Sequence, residues 1–294
     1  MKTYSTIRGM LTALGASAAI ASASACTTPS KVGSGPAVAN TTKAAIPHVC
    51  VDRVLPSHMQ EGAKVTASTE NSRNKPPPGS SSITAMRYKK WLPGRTLHVR
   101  FLEGDPGVVG HVKKVAAEWM TYADITLVFD DASNSEIRVA FQQGGSWSNI
   151  GTDAKQVDAS EATMNYGWLD SETPDDEYSR VVLHEFGHAL GFVHEHQNPI
   201  NEIQWNKEVV YAYYAGEPNK WDRATVDRNI FARYATAETQ YTRFDPTSIM
   251  EYPIPKEHTL NGFSVGWNKV LSPMDKCYAS SVAYPKAGAQ PCPP

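Results

Sequence analysis

Residues 181–196 read VVLHEFGHALGFVHEH, and the spacing of polar side chains in this stretch decides how the rest of the chain must be arranged. His184 and His188 stand four apart, so on a helix they share a face and two imidazoles can reach one metal ion. Glu185 follows the first histidine directly, where a carboxylate can take a proton from water activated by that metal. Gly191 comes three residues after His188, and without a Cβ it can adopt the left-handed conformation that ends a helix. The chain can then turn back and offer His194 as a third imidazole. Three protein ligands leave the fourth tetrahedral position to water, which is the arrangement of a catalytic zinc site; structural zinc sites are closed and usually rich in Cys.

An H-E-x-x-H triplet alone turns up by chance on amphipathic helices. Here five positions fit H-E-x-x-H-x-x-G-x-x-H, and Met250, inside Ser248-Ile249-Met250-Glu251-Tyr252, follows 56 residues beyond His194. In these residues the chain resembles the metzincin zinc endopeptidases. Three stretches place the resemblance in the astacin-like branch: Gly191-Phe192-Val193-His194-Glu195 looks like G-F-x-H-E, residues 248–252 look like S-x-M-x-Y, and Gly145-Ser146-Trp147-Ser148-Asn149-Ile150-Gly151 looks like G-C-W-S-x-x-G. There are departures. Ser146 stands where astacins carry a disulfide Cys, Glu251 stands where many have His, and His196-Gln197-Asn198-Pro199 lacks the Arg and Asp typical after Glu195.

The resemblance implies an α+β fold of the zincin/metzincin type over residues 85–285: a twisted mixed sheet, an active-site helix and a mainly helical C-terminal subdomain carrying the Met-turn. It implies one Zn2+ per chain on His184, His188 and His194, and Glu185 as general base. Met250 becomes a packing floor beneath the metal, and Tyr252 a hydroxyl that swings to the tetrahedral intermediate, the bland alternative being an ordinary core tyrosine. Glu195 matches the glutamate that pairs with the new amino terminus once a pro-segment is cut away. In metzincins the strand before the active-site helix is the sheet edge on which an extended peptide pairs antiparallel, which places a substrate along residues 147–168. The implied activity is a secreted zinc-dependent endopeptidase hydrolysing peptide bonds through zinc-activated water, with a protein or peptide as substrate. Two other readings stand beside it: a cell-wall peptide amidase, and a surface binding module that has dispensed with catalysis. The intact Glu185 speaks against the second.

Residues 1–25 open with Lys2 and Arg8 ahead of an apolar, Ala-rich run and close on Ala23-Ser24-Ala25, the pattern of a secretory signal peptide. The apolar run is too short for a membrane-spanning helix, which needs about 20 apolar residues, and no integral membrane segment is expected elsewhere. Cys26 directly follows the expected cut, where bacterial precursors can carry a lipid anchor; Ala23 stands where such signals have Leu, which weighs against it. The localisation expected is therefore extracellular, with an outer-surface or periplasmic lipoprotein as the alternative. The formal charge of −2 leaves no basic footprint for nucleic acid.

Residues 26–84 are poor in large apolar side chains and end in Pro76-Pro77-Pro78 and a Ser run, so they read as a flexible tether or pro-segment in which only residues 47–61 can pack on anything. Cys50 lies in that stretch. A thiolate there can plug the open metal position, but the flanking residues match no such motif, Asp52 is adjacent where astacins use an Asp, and a plain structural or disulfide Cys is the favoured reading. Four Cys, at 26, 50, 277 and 292, permit three pairings if all bond.

From Arg87 onward the composition is that of a folded core. Residues 96–101 alternate as a strand with Leu97, Val99 and Phe101 on one face and His98 outward. Asp105-Pro106 starts a helix carrying Val108, Val112, Val115 and Trp119, and two further strands fall at 125–129 and 136–141. Thr173 suits the N-cap of a helix running from Pro174 to Leu190, with three acids in its first turn. Helices are expected at 205–214 and 224–234, turning Tyr213, Tyr214, Ile230 and Phe231 inward, and at 272–284 behind a Ser-Pro cap. Residues 286–294 form a tail.

Overall fold

The computed structural model describes residues 50, 53–75, 88–217, 219–234 and 243–292. All of these belong to one compact unit, Ala45–Pro294. The expected signal peptide, Cys26, Asp52 and the Pro/Ser run lie outside the described residues.

The sheet has five strands: β1 (Arg95–Phe101), β2 (Ile125–Phe129), β3 (Ile137–Ala140), β4 (Trp147–Ser148) and β5 (Met164–Asn165), in the order β2-β1-β3-β5-β4. β1 pairs parallel with β2 and β3, β3 pairs parallel with β5, and only β4 runs antiparallel. This is the mixed sheet of the α+β arrangement. Parallel neighbours need a crossover, and α2 (Pro106–Ala116) with the short α3 (Trp119–Tyr122) supplies it between β1 and β2. Asp105 caps α2, its carboxylate accepting from the N–H groups of Gly107 and Val108, with Pro106 in the first turn. Leu97 and Val99 are buried, as the alternation requires, and His98 faces outward against Asp130 at 2.8 Å.

α4 (Asp175–Ala189), the helix that carries the histidines, packs against α2 and shares one core with it and the sheet. Leu97, Val112, Ile137, Val139, Val182, Leu183 and Phe186 close the core around it. Asp175, Asp176 and Glu177 fill its first turn, at the positive end of the helix dipole. Thr173 does not cap it. Its hydroxyl instead donates to the Asp170 carboxylate at 2.9 Å, so the turn before the helix is closed on itself. At the other end, Trp91 donates from its indole N–H to the Ala189 carbonyl at 2.8 Å and the Tyr284 hydroxyl donates to the Leu190 carbonyl, so side chains from opposite ends of the domain satisfy carbonyls the helix leaves open.

The C-terminal half is built of α5 (Lys207–Ala215), α6 (Arg223–Val226) with a π-helical turn, Asp227–Phe231, and α7 (Pro273–Cys277) with a second, Tyr278–Ala283. Ser272 and Asp275 cap α7 reciprocally. Tyr214 and Ile230 point inward, but Tyr213 is exposed, and its ring stands edge-on to His258 at 4.7 Å. Cys277 and Cys292 are disulfide-bonded, tying the tail to α7.

The N-terminal segment packs further than its composition suggests. Residues Ser57–Glu70 form α1, which lies on the 3₁₀ turn Gly151–Gln156 with only Ala63 and Ala67 buried. Polar contacts hold it: Gln156 donates to Thr66 at 2.8 Å, Lys155 pairs with Glu70 at 3.0 Å, and the Asn71 and Asn74 amides donate to the Trp91 and Lys90 carbonyls at 2.9 and 2.7 Å. A search for apolar periodicity cannot see anchors of this kind.

Candidate active site

His184, His188 and His194 meet in the interior, all nearly inaccessible to solvent. Gly191 takes φ +86°, its N–H returns to the His188 carbonyl at 2.8 Å, and the chain reverses to bring His194 under α4. The Nε2 atoms of His184 and His188 lie 3.2 and 3.1 Å from Nε2 of His194. Nδ1 of His184 points at the Ile249 carbonyl at 2.8 Å and Nδ1 of His188 at the Phe192 carbonyl at 3.0 Å. A carbonyl only accepts, so each Nδ1 carries the proton and each Nε2 presents a lone pair. Burial holds the pKa of His184 and of His194 well below the ordinary 6.5, which keeps both rings neutral. Neutral nitrogens converging at such distances repel one another unless a cation stands between them. The donor set therefore fits one metal ion, and imidazole nitrogens suit zinc.

Met250 closes the cluster from below. It is buried, and it approaches α4 so closely at Gly187 that a Cβ there would strike its sulfur. The glycine inside H-E-F-G-H is thus required by the Met-turn, a point the sequence motif does not reveal. The turn is fixed by Asp275 of α7, whose carboxylate accepts from the Ser248 hydroxyl and from the Ile249 N–H, both at 2.7 Å. Burial pushes the Asp275 carboxyl up while these hydrogen bonds pull it down. The Met250 carbonyl in turn accepts the Glu195 N–H at 2.9 Å, joining the loop that carries His194 to the same support. Sequence reasoning missed Asp275, and its only signal was the cap pattern Ser-Pro-x-Asp.

Glu185 is fully buried beside the cluster, and Tyr252 packs against His194 with the rings tilted and their centroids 4.2 Å apart. Tyr166 stands near enough for the charges of Glu185 and Cys50 to add to burial in raising its hydroxyl pKa well above 10.

Cys50 departs from the favoured expectation. It keeps its thiol, is buried, and its Sγ joins the three imidazoles in a set whose donor atoms all lie within 4.8 Å of one another. The thiol donates to Oε2 of Glu185 at 3.3 Å, and the Cys50 carbonyl accepts the Tyr252 hydroxyl at 2.6 Å. The segment reaches this position along the sheet edge. Cys50 bridges Ser146 and Arg53 bridges Asn149, both in the parallel sense. The edge strand also differs from expectation: β5, the last strand before α4 in the chain, is interior, and the outermost strand on that side is β4, two residues long.

A model of the astacin peptidase family matches residues 84–276. The chain belongs to the astacin family. Among solved structures, one of myroilysin is 50% identical with a TM-score of 0.66, covering 68% of this chain and 98% of its own. A second of myroilysin covers 81% of this chain and 91% of its own at 44% identity and a TM-score of 0.56. High choriolytic enzyme 1, a hatching-enzyme zinc protease from the medaka fish Oryzias latipes, is 17% identical with a TM-score of 0.45, covering 65% of this chain and 92% of its own. No curated protein sequence matches. Astacin-family membership makes the protein a zinc metalloendopeptidase with protein or peptide substrates, in the metzincin fold expected from residues 181–196 and 248–252. No helix among the described residues is long and apolar enough to cross a membrane.

Proposed function

We propose that this astacin-family protein is an exported endopeptidase made in a latent form, with Glu185 as general base, Tyr252 as oxyanion donor, His184, His188 and His194 as metal ligands, and Cys50 as the plug of the metal site. The observation that carries the reading is the convergence of Cys50 with the three imidazoles, within 4.8 Å, directly against Glu185 and Tyr252. Zinc bound to the imidazoles would supply a Lewis acid that polarises a scissile carbonyl and acidifies water. Glu185 faces the side of the cluster where Cys50 stands; once that thiol leaves, its carboxylate takes the proton of the attacking water and hands it to the leaving amine. Tyr252 now donates to the carbonyl of Cys50. With the segment removed, the same hydroxyl donates to the substrate oxygen on which charge develops.

Support for activation by cleavage comes from Glu195. It lines a pocket together with Lys90, Asn198, Asp245 and Tyr278. A cut in the connection before Tyr88 creates an ammonium within a few residues of Lys90, and that ammonium enters the pocket to pair with Glu195. Export rests on the basic, apolar and Ala-x-Ala pattern of residues 1–25.

The test is metal analysis of the purified full chain, followed by incubation with a random peptide library before and after limited proteolysis. One zinc per chain, little cleavage beforehand, strong cleavage afterwards and loss of cleavage with chelator are expected. Absence of zinc after reconstitution overturns the metal assignment, and equal activity before and after proteolysis overturns the latency.

A further inference from the structure

The same edge that carries the N-terminal segment carries an aromatic platform. Trp147 is the first residue of β4, half-buried, and the guanidinium of Arg53 lies over its ring with Cζ 3.8 Å from the centroid. Arg53 sits three residues along the segment from Cys50, and the register moves by the same amount, from Ser146 to Asn149. Three residues of extended chain span about 10 Å. A cation is therefore seated at a fixed distance from the point where Cys50 meets Glu185.

We propose that Trp147 is a specificity site of this enzyme, a subsite that takes a cationic side chain of the substrate two or three residues from the scissile bond, and that Arg53 occupies it in the latent chain. The inference rests on the endopeptidase reading above. A peptide paired along β4 uses the backbone groups that the segment uses now, and backbone pairing accepts any sequence; discrimination must come from side chains standing beside that edge. The flat indole face attracts a guanidinium more strongly than an ammonium, because stacking adds to the attraction of the ring quadrupole, and it holds a neutral polar group weakly. A substrate running antiparallel to β4 places its N-terminal residues along 147–149, so the preference falls on the N-terminal side of the cut. The reversed polarity of the segment leaves the site in place, since parallel and antiparallel strands on one edge both send alternate side chains to the same face.

The experiment uses the full chain activated by limited proteolysis and a peptide series with one scissile bond and Arg, Lys, citrulline or Leu placed two or three residues before it. Arg over citrulline should raise kcat/KM about two- to tenfold, with Lys between, the range that cation–π attraction supplies at exposed to partly desolvated sites. Trp147→Leu should erase the difference between Arg and citrulline, so that the ratio of their kcat/KM values falls to about one. A peptide of residues 47–56 should inhibit the activated enzyme more weakly when Arg53 is replaced by citrulline, a binding readout independent of turnover. Equal cleavage of the Arg and citrulline peptides by the wild type, or an Arg preference that survives Trp147→Leu, overturns the subsite. Failure to cleave any peptide overturns the endopeptidase reading instead.

Discussion

The histidine cluster is covered on two sides by segments of opposite character. Below it, the Met-turn is locked: Asp275 holds Ser248 and Ile249, Met250 packs into the space left by Gly187, and the Ile249 and Met250 carbonyls accept from His184 and Glu195. These contacts lie largely in the interior, where hydrogen bonds are strong and costly to leave unmade. Above it, Cys50 and Arg53 make two isolated bridges, a thiol contact, a bond from one tyrosine hydroxyl and an exposed cation–indole contact. The lower side keeps the geometry of the ligands; the upper side is the cover that the proposed activation would remove. Tyr252 touches both the ligands and the cover, because its ring packs against His194 and its hydroxyl donates to the Cys50 carbonyl.

The largest effects test what lies between floor and cover. Glu185→Gln in the proteolytically activated protein should retain zinc and the melting temperature while losing at least ~10²–10⁴ in kcat, the contribution of general base catalysis. An active Glu185→Gln protein would defeat the mechanism. Tyr252→Phe should lower kcat by ~10²–10³ with little change in KM, as for loss of one oxyanion donor. In the unprocessed chain the same substitution should act in the opposite direction on latency, since the carbonyl of Cys50 loses its partner. Unchanged kcat with a lower melting temperature would return Tyr252 to a packing role.

Next in size is the cover itself. Cys50→Ala removes the thiol and keeps the chain, so the unprocessed protein should cleave peptide at least about tenfold faster than the wild type, a loss of ~1.4 kcal/mol in the closed state. Steady-state assays on freshly purified, uncut protein decide. Activity that stays at the wild-type level would show the polar contacts of α1 sufficing for closure, and the contrast between the two sides would weaken.

This contrast also explains what was legible in the sequence. The floor and the ligands come from short, rigid spacings: His184 to His188 on one helix, Gly191 at positive φ, His194 after it, Met250 in a tight turn. Such spacings fix geometry locally, so the chain alone displays them. The strands at 96–101 and 125–129 and the cap at Asp105 were legible for the same reason. The position of Cys50 was not, because it depends on pairing with β4 almost a hundred residues away and on α1, whose buried face is two alanines and whose anchors are asparagines. Nor was the sheet order legible: β4 and β5 are two residues each, too short to show alternation, and which of them forms the edge is settled by tertiary pairing. His196 and Glu251 appeared in the sequence as separate departures from the family pattern. In the fold they face each other at 3.7 Å, both buried behind Tyr252.

A smaller effect is expected from Gly187→Ala. Alanine favours a helix over glycine by about 1 kcal/mol, but its methyl group would meet the Met250 sulfur and then the Trp119 ring at 3.4 Å. Overpacking of a core costs about 1–3 kcal/mol, so the balance is a modest loss, read as a melting temperature lower by a few degrees together with reduced kcat as the floor is displaced. A more stable, fully active Gly187→Ala protein would show the floor to be soft.

The smallest effect concerns the buried carboxyl under that floor, Glu251. Burial is the main cause holding its pKa well above the ordinary 4.5, with the charges of Glu195 and then Asp245 acting in the same direction, while a hydrogen bond from the Tyr252 N–H at 2.9 Å opposes them. The folded protein therefore keeps a proton that the unfolded chain gives up. Unfolding releases it, so stability from this group is full below 4.5 and declines as pH rises from there towards the elevated folded value. Glu251→Gln replaces the protonated acid by a neutral group of the same shape and removes that dependence. The variant should melt with the wild type near pH 4.5 and exceed it by about 2–4 °C at pH 8, the size of ~1 kcal/mol in a domain of this length. Melting curves across that range test it. A gap that is constant with pH would mean that Glu251 is ionised throughout, its charge met by His196, and the floor would then contain an ion pair in place of a neutral carboxyl.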